Sequence, residues 1–417
     1  MLCPCEVPYR AHATEVGDRL TTDDTLRPYP FEVFRGELPP ELLQMVTDRP
    51  VSRVRLPDGR PTWLVLGYDE VCTVLADADF TRHAGQVEAE EPVGAASGCP
   101  VQPKVRELGM NGQAHTSLRR LASRAFTARR IEAYRPRVQQ IADDLLDAME
   151  AAGPPTDLIG GLVAPLPALV VYEVLGVPST DVDRFNAWVA DINSITAYGS
   201  PDAARSVADL RAYLAEQLER KRTEPGDDLL SAWLAAQDGD ELSDEEIIGL
   251  AVAVLIGGRE INSISAGMRA LFQHPEQLER LRADPALIGP AVEEILRYTS
   301  VSPMFLVQTA VRDVTLAGVE ICARDAVMAV PWAANRDTAA FERADEFDIT
   351  RPVNPHLTFG YGPHFCLGAA LGRLEVEIAI GSLLRRFPNL APAVPVDKIP
   401  WRPERINCGI SEFPVTW

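Results

Sequence analysis

The chain has 417 residues, 46% hydrophobic and 24% charged, with a formal net charge of −20. That is enough apolar sequence for a sizeable core, and the acidic balance argues against a nucleic-acid-binding face, which needs clustered Lys and Arg. A local basic patch for an acidic partner protein stays open.

The opening stretch MLCPCEVPYRAHATEVGDRL lacks the apolar run of a secretion signal. The segment LIGGLVAPLPALVVYEVLGVP is interrupted by Pro165 and Pro167 and does not read as a membrane span. Cysteines at 3, 5, 72, 99, 322, 366 and 408 form no CxxC pair and no zinc spacing, so reduced thiols and a cytoplasmic location are expected. The first regular element is a β-hairpin, because alternating runs in VSRVRLPDGRPTWLVL flank the turn-forming PDG. Residues 84 to 112 are rich in Gly, Pro, Ala and Glu without periodicity and read as a long functional or disordered loop.

From about 114 to 300 the pattern is helical. RIEAYRPRVQQIADDLLDAME and DDLLSAWLAAQ carry apolar residues at helical spacing. LSDEEIIGLAVAVLIGG opens on a capping box, Ser243 at the N-cap and Glu246 three residues on. Its apolar face runs through Ile247, Leu250, Ala251, Val254 and Leu255, which places Gly257, Gly258, Arg259 and Glu260 inside one long buried helix. Each helical glycine costs about 1 kcal/mol relative to alanine, and buried charges need partners or a function. HPEQLERLRADPALIGPAVEEILRYT sets Glu294 and Arg297 three residues apart on one helix face. Short strands are expected between 305 and 332, then a meander rich in Pro and Asp to 358, the helix LGAALGRLEVEIAIGSLLRRF, and a tail with short strands. No repeat or composition break divides the chain. It reads as one mainly α domain, 1–417, with small β-sheets and a β-rich part at about 45–80.

FGYGPHFCLGAALGRLE is the most informative segment. Cys366 follows a turn built on Gly360, Gly362 and Pro363 and directly precedes a helix, where unpaired N–H groups and the helix dipole favour a thiolate. The glycines let a flat group approach the backbone. A thiolate with a close planar partner is the ligation of haem iron held by cysteine.

The segment resembles the haem-binding loop of the cytochrome P-450 superfamily, through Phe359, Gly360, Gly362, Cys366 and Gly368 in the stretch 359–368. The resemblance covers nearly the whole chain. It implies the cytochrome P-450 fold, with haem b (iron protoporphyrin IX) between the long oxygen-side helix and the helix after the cysteine loop. Cys366 would be the axial thiolate, and Glu294 with Arg297 the structural pair behind the haem. AHTSLRRLASRAF resembles the helix whose His115 and Arg119 contact haem propionates, with His364 as a further contact. Gly257 and Gly258 would let the oxygen-side helix lie close to the porphyrin.

The family usually has an acid followed by threonine on that helix; here Glu260 is followed by Ile261. Isoleucine cannot donate a hydrogen bond. Protons would then come through Glu260, Asn262, Ser263, Ser265, water or the substrate. Gln308 stands where relatives often place an arginine that contacts a propionate. The resemblance further implies electrons from ferredoxin and ferredoxin reductase, or flavodoxin, on a face where Arg119, Arg120, Arg124, Arg129, Arg130 and Arg373 could gather. It implies a small-molecule substrate, no nucleic acid and no membrane. Trp188, Ile192, Asn193, Ile261, Met304, Phe305, Ile406 and Asn407 would line the pocket, beside the 84 to 112 loop. CEVPY and AVPVDKIPWRPERINCGISEFPVTW resemble the termini of the mycocyclosin-synthase-type members, which act on cyclodipeptides. On that likeness the expected reaction is oxidative C–C or C–N coupling of an aromatic cyclodipeptide. The alternatives are a conventional monooxygenase of polyketides, terpenoids or other natural products, and a non-catalytic haem-thiolate sensor.

Overall fold

A computed structural model describes residues 27–28, 38–56, 59–82, 112–193, 201–237, 243–258, 262–299, 306–402 and 409–417. The strands are β1 (Arg27–Pro28), β2 (Val51–Arg55), β3 (Pro61–Val65), β4 (Phe80–Thr81), β5 (Thr156–Asp157), β6 (Leu306–Ala310), β7 (Val314–Leu316), β8 (Val319–Ile321), β9 (Ala326–Ala329), β10 (Ala391–Pro392), β11 (Trp401–Arg402), β12 (Gly409–Ile410) and β13 (Pro414–Thr416). The expected hairpin is β2–β3, antiparallel with Val51 opposite Val65. It lies in a six-stranded sheet of order β1-β2-β3-β9-β6-β4. The remaining strands make a three-stranded sheet, β10-β13-β5, and the pairs β11-β12 and β7-β8.

The helices are α1 (Pro40–Asp48), α2 (Tyr68–Ala76), α3 (Gln113–Ala125), α4 (Ala128–Ala133), α5 (Arg135–Ala152), α6 (Pro165–Leu175), α7 (Val182–Asn193) and α8 (Pro201–Thr223). They continue as α9 (Leu229–Gln237), α10 (Asp244–Gly257), α11 (Asn262–Gln273), α12 (Pro275–Ala283), α13 (Ile288–Thr299), α14 (Pro331–Ala334) and α15 (Ala369–Arg386). The stretch RIEAYRPRVQQ is divided between α4 and α5 at Tyr134, because Pro136 falls in the first turn of α5, where its missing N–H is not needed. Pro165 and Pro167 similarly open α6.

The capping box forms as read: Ser243 Oγ accepts from the Glu246 N–H, and Glu246 accepts from the Ser243 N–H at 2.8 Å. The expected single long helix is described as α10 and α11 on either side of 259–261. The stretch from Asp244 to Gln273 is apolar and long enough to cross a membrane by composition, yet most of it is buried in the protein interior. Gly267 explains how α11 fits there. A Cβ at that position would lie 2.6 Å from Ile295 of α13 and 3.3 Å from Ile380 of α15, so three helices cross where there is no side chain.

Helix α13 holds the centre. Glu294 and Arg297 are both 0% exposed. The guanidinium meets both carboxylate oxygens at 2.8 Å and donates to the carbonyls of Asn335, Ala344 and Glu346. The carboxylate also accepts from Asp348 N–H, Arg351 and Asn354. A pair usually found at the surface is here the anchor of the meander from 335 to 354. Removing one partner of a buried ion pair costs about 3–5 kcal/mol. Arg297→Ala should therefore lower the thermal midpoint severely. Arg297→Lys should also fail, because an ammonium cannot reproduce the planar fork. A Lys variant that melts with the wild type would refute this account.

Candidate functional site

The loop before α15 is closed by backbone hydrogen bonds. Gly360 N–H donates to Leu357 O at 2.8 Å, Phe365 N–H to Gly362 O at 3.0 Å, and Cys366 N–H to Phe359 O at 2.8 Å. Gly360 and Gly362 adopt φ of 76° and 70°, in the left-handed region. Their surroundings differ. A Cβ on Gly362 would sit 2.8 Å from the Ala76 Cα, because α2 packs on the loop, whereas one on Gly360 would meet nothing nearer than 3.9 Å.

Cys366 is exposed in this loop, with Gly368 at the N-cap of α15. Sequence position alone predicted a thiol biased toward the thiolate. In the folded chain, crowding by protein pushes the Cys366 thiol up, and the Gly368 N–H, Arg119 and Arg373 oppose this without overcoming it. Coordination to a metal would deprotonate the thiol outright.

Phe359 lies under Arg373, whose guanidinium carbon is 4.6 Å from the ring centre, and it touches the Gly372 side of α15. Arg373 donates to Glu293 at 2.7 and 3.0 Å, and His356 Nε2 lies 3.1 Å from the same carboxylate. Arg373 is thus committed to fastening α15 to α13 and adds no unpaired charge to a docking face. Arg130 is likewise bound to Asp227 at 2.9 Å. Arg120, Arg124 and Arg129 are exposed.

On the other side of the loop, four nitrogen-bearing side chains converge. The His115 and His364 rings are 4.1 Å apart, tilted by 35°. Arg119 donates to the Phe365 carbonyl. Arg82 joins them and was not foreseen: burial, then Arg119, pulls its guanidinium down to about 10. His115 is pulled down by burial, then by Arg119 and Arg82. The β4–β6 register pairs Phe80 with Ala310 and Thr81 with Thr309, so the next position sets Arg82 opposite Gln308. Arg82 is thus a cation one residue beyond β4, next to the strand that carries buried Gln308. Only the pairing reveals it, since 82 and 308 are far apart in sequence.

Mutually repelling cations beside an exposed thiol fit an anionic group with a metal centre. The carboxylates and iron of haem b match both requirements. Arg82, His115, Arg119 and His364 would hold the carboxylates, and Cys366 the iron. Space fits too, because a Cβ on Gly257 or Gly368 would meet nothing within 4 Å. Gly258 has another reason to be glycine, since a Cβ there would lie 2.5 Å from Val171 of α6. Its close approach is to a neighbouring helix.

At the start of α11, Asn262, Ser263 and Ser265 are buried. Ser265 Oγ donates to Asn262 O at 3.0 Å. The Asn262 amide abuts Gly409 of β12, where a Cβ would lie 2.9 Å from Cγ. Trp188 packs edge-on to Phe185, with its ring 6.0 Å from Tyr213 and Arg184 over it, and Ile192 is fully buried in the main core. Both are engaged in helix packing. Asn193 ends α7. Glu260, Ile261, Met304, Phe305, Ile406, Asn407 and residues 84–111 lie outside the described residues.

A family profile described as Cytochrome P450 matches residues 202–406. Nocardicin C N-oxygenase from Nocardia uniformis subsp. tsuyamanensis is 40% identical over 402 residues, covering 95% of this chain and 100% of the relative. The LnmA cytochrome P450 hydroxylase from the leinamycin biosynthetic pathway of Streptomyces atroolivaceus S-140 superposes with a TM-score of 0.85 at 38% identity, covering 94% of this chain and 100% of that one. Cytochrome P450mel 107F1, with biaryl coupling reactivity, gives a TM-score of 0.82 at 36% identity, covering 92% and 98%.

Two outcomes follow. Gly362→Ala should lower haem occupancy strongly, through strain of about 1–2 kcal/mol plus collision with α2. Gly360→Ala should carry the strain alone and retain most haem, as read by absorbance per folded protein. The second concerns acid stability. Burial pushes the Glu293 carboxyl up, but His356 and Arg373 outweigh it and hold the group at about 2, below its ordinary 4.5. Its contribution to stability is therefore full above pH 4.5 and lost as pH falls toward 2. Glu293→Gln should flatten that limb of the melting-temperature profile; an unchanged slope would remove Glu293 from the account.

Proposed function

The chain belongs to the cytochrome P450 family, and on that footing we propose that it is a natural-product monooxygenase that places one atom of O2 on a small organic substrate. It is an oxidoreductase that binds haem b. The observation that carries the reading is the pairing of Cys366, on a loop closed at both ends, with the Arg82–His115–Arg119–His364 cluster. Bound haem-thiolate supplies reductive cleavage of dioxygen.

The chain's own groups do the rest. The closed loop aims Cys366 into the cleft, and the cation cluster fixes the orientation of the bound carboxylates. The polar start of α11 carries protons: Ser265 Oγ accepts one on a free lone pair as its own O–H turns from Asn262 O and passes its proton into the cleft, with Glu260 as the upstream acid. Substrate, O2, two electrons and two protons then give oxygenated product and one water. Ferredoxin with its reductase, or flavodoxin, supplies the electrons in the cytoplasm. Its docking face is the exterior of the cysteine loop, where Tyr361 and Phe365 are exposed beside Arg120, Arg124 and Arg129. Relatives that oxygenate natural products support this reading over cyclodipeptide coupling. Oxidative coupling stays as the second reading because a similar structure has biaryl coupling reactivity.

The test is turnover of a natural-product panel, aromatic cyclodipeptides included, with surrogate ferredoxin and reductase. Substrates are first selected by their shift of the ferric Soret band. A product heavier by one oxygen is expected. A product lacking two hydrogens, with both oxygen atoms leaving as water, would move the assignment to coupling. Absence of NADPH consumption with every Soret-shifting compound would point to a sensor.

A further inference from the structure

Helix α11 carries a second polar face away from its start. Arg269 and Gln273 lie seven and eleven residues beyond Asn262, about 10 and 16 Å along the axis and on the same side. They line a half-open cavity of about 470 Å³, bordered by Trp401 of β11, Tyr298 at the end of α13, His274 and Arg336, with Asp345 among its lining residues. None of these residues is among those assigned above to the haem.

The walls have a consistent chemistry. The Arg269 guanidinium stands 5.7 Å over Trp401, and that of Arg336 is 3.7 Å over Tyr298. Only 10% of the Arg336 side chain is exposed, and its Nε, which has no hydrogen-bond partner, is buried behind the cavity wall. Its Nη2 is used by the Tyr298 carbonyl. Among the described residues, the nearest carboxylate, Asp345, is 3.7 Å from Nη1 but 70% exposed, so it sits at the rim. His274 Nδ1 is 2.8 Å from Ala270 O, which leaves Nε2 as the ring's other polar atom. Two guanidinium groups set over aromatic rings in one half-open space, with Arg269 also donating to Gln273 at 3.0 Å, favour a planar anion with an apolar body: the anion is met by charge-assisted hydrogen bonds and the body by the ring faces. The volume falls within the range of small-molecule sites.

We propose that this cavity is a second small-molecule site, for an aromatic carboxylate, held by Arg269 and Arg336 and bounded by Trp401. The proposal stands independently of the reaction at the haem. Its occupant would press on the β11–β12 hairpin, whose Gly409 leans on Asn262 at the other end of the same helix face.

The experiment is calorimetric titration of the haem-loaded protein with phenylacetate, its neutral analogue phenylacetamide and inorganic phosphate. The Soret band is followed in parallel. Saturable binding of phenylacetate without Soret change is expected, with phenylacetamide and phosphate at least about tenfold weaker. Arg269→Gln should weaken phenylacetate by about tenfold or more. Trp401→Leu, a change on a partly exposed hairpin, should weaken both organic probes together. Equal affinity for acid and amide, an unaffected Arg269→Gln variant, absence of saturable heat, or a Soret change with the same midpoint would each overturn the proposal.

Discussion

The buried contact between Glu294 and Arg297 is the constraint on which the functional half of the molecule rests. Taking two charges out of water costs several kcal/mol per ion, and the attraction between them repays this only when geometry is good and the other donors and acceptors are filled. Here they are filled by the chain that follows: three carbonyls on Arg297, and a backbone N–H with two side chains on Glu294. A meander with little regular structure is thereby held as firmly as a helix. The preceding residue, Glu293, takes His356 and Arg373, and so fastens the cysteine loop and α15 to the same helix. One turn of α13 thus positions both the loop and the helix that flank Cys366.

The electrostatics of the cleft run against those of the whole chain. The protein carries a net charge of −20, yet Arg82, His115, Arg119 and His364 meet in a small region where burial pulls Arg82, His115 and Arg119 down, with neighbouring cations adding to it at Arg82 and His115. Such an arrangement stores unfavourable energy that an anionic group relieves on binding. A cofactor with carboxylates as well as iron would fit this arrangement, and its binding would add to stability through mass action. The outer cations divide by the same logic. Arg130 and Arg373 have carboxylate partners; Arg120, Arg124 and Arg129 are exposed.

Glycine shows how one residue type serves different ends. Gly362 is needed because α2 presses on the loop, Gly267 because three helices cross, and Gly258 because Val171 fills the space its side chain would occupy. Gly257 faces open space instead. The motif LIGG reads as one feature, and its two glycines do two jobs.

The sequence by itself determined the elements and the ligand. The hairpin around PDG, the capping box at Ser243, the helix start after Cys366 and the Glu294–Arg297 spacing are local, and local rules of turn chemistry, capping and periodicity suffice for them. The family likeness added the haem and its thiolate. Tertiary structure alone decided which charges are spent on scaffolding, that Arg82 joins His115 and Arg119, why Gly258 is small, and the sense of the shift at Cys366. Each of these depends on residues brought together from distant parts of the chain, where burial and neighbouring charge set the energy. Neither quantity is written in the spacing of the residues themselves.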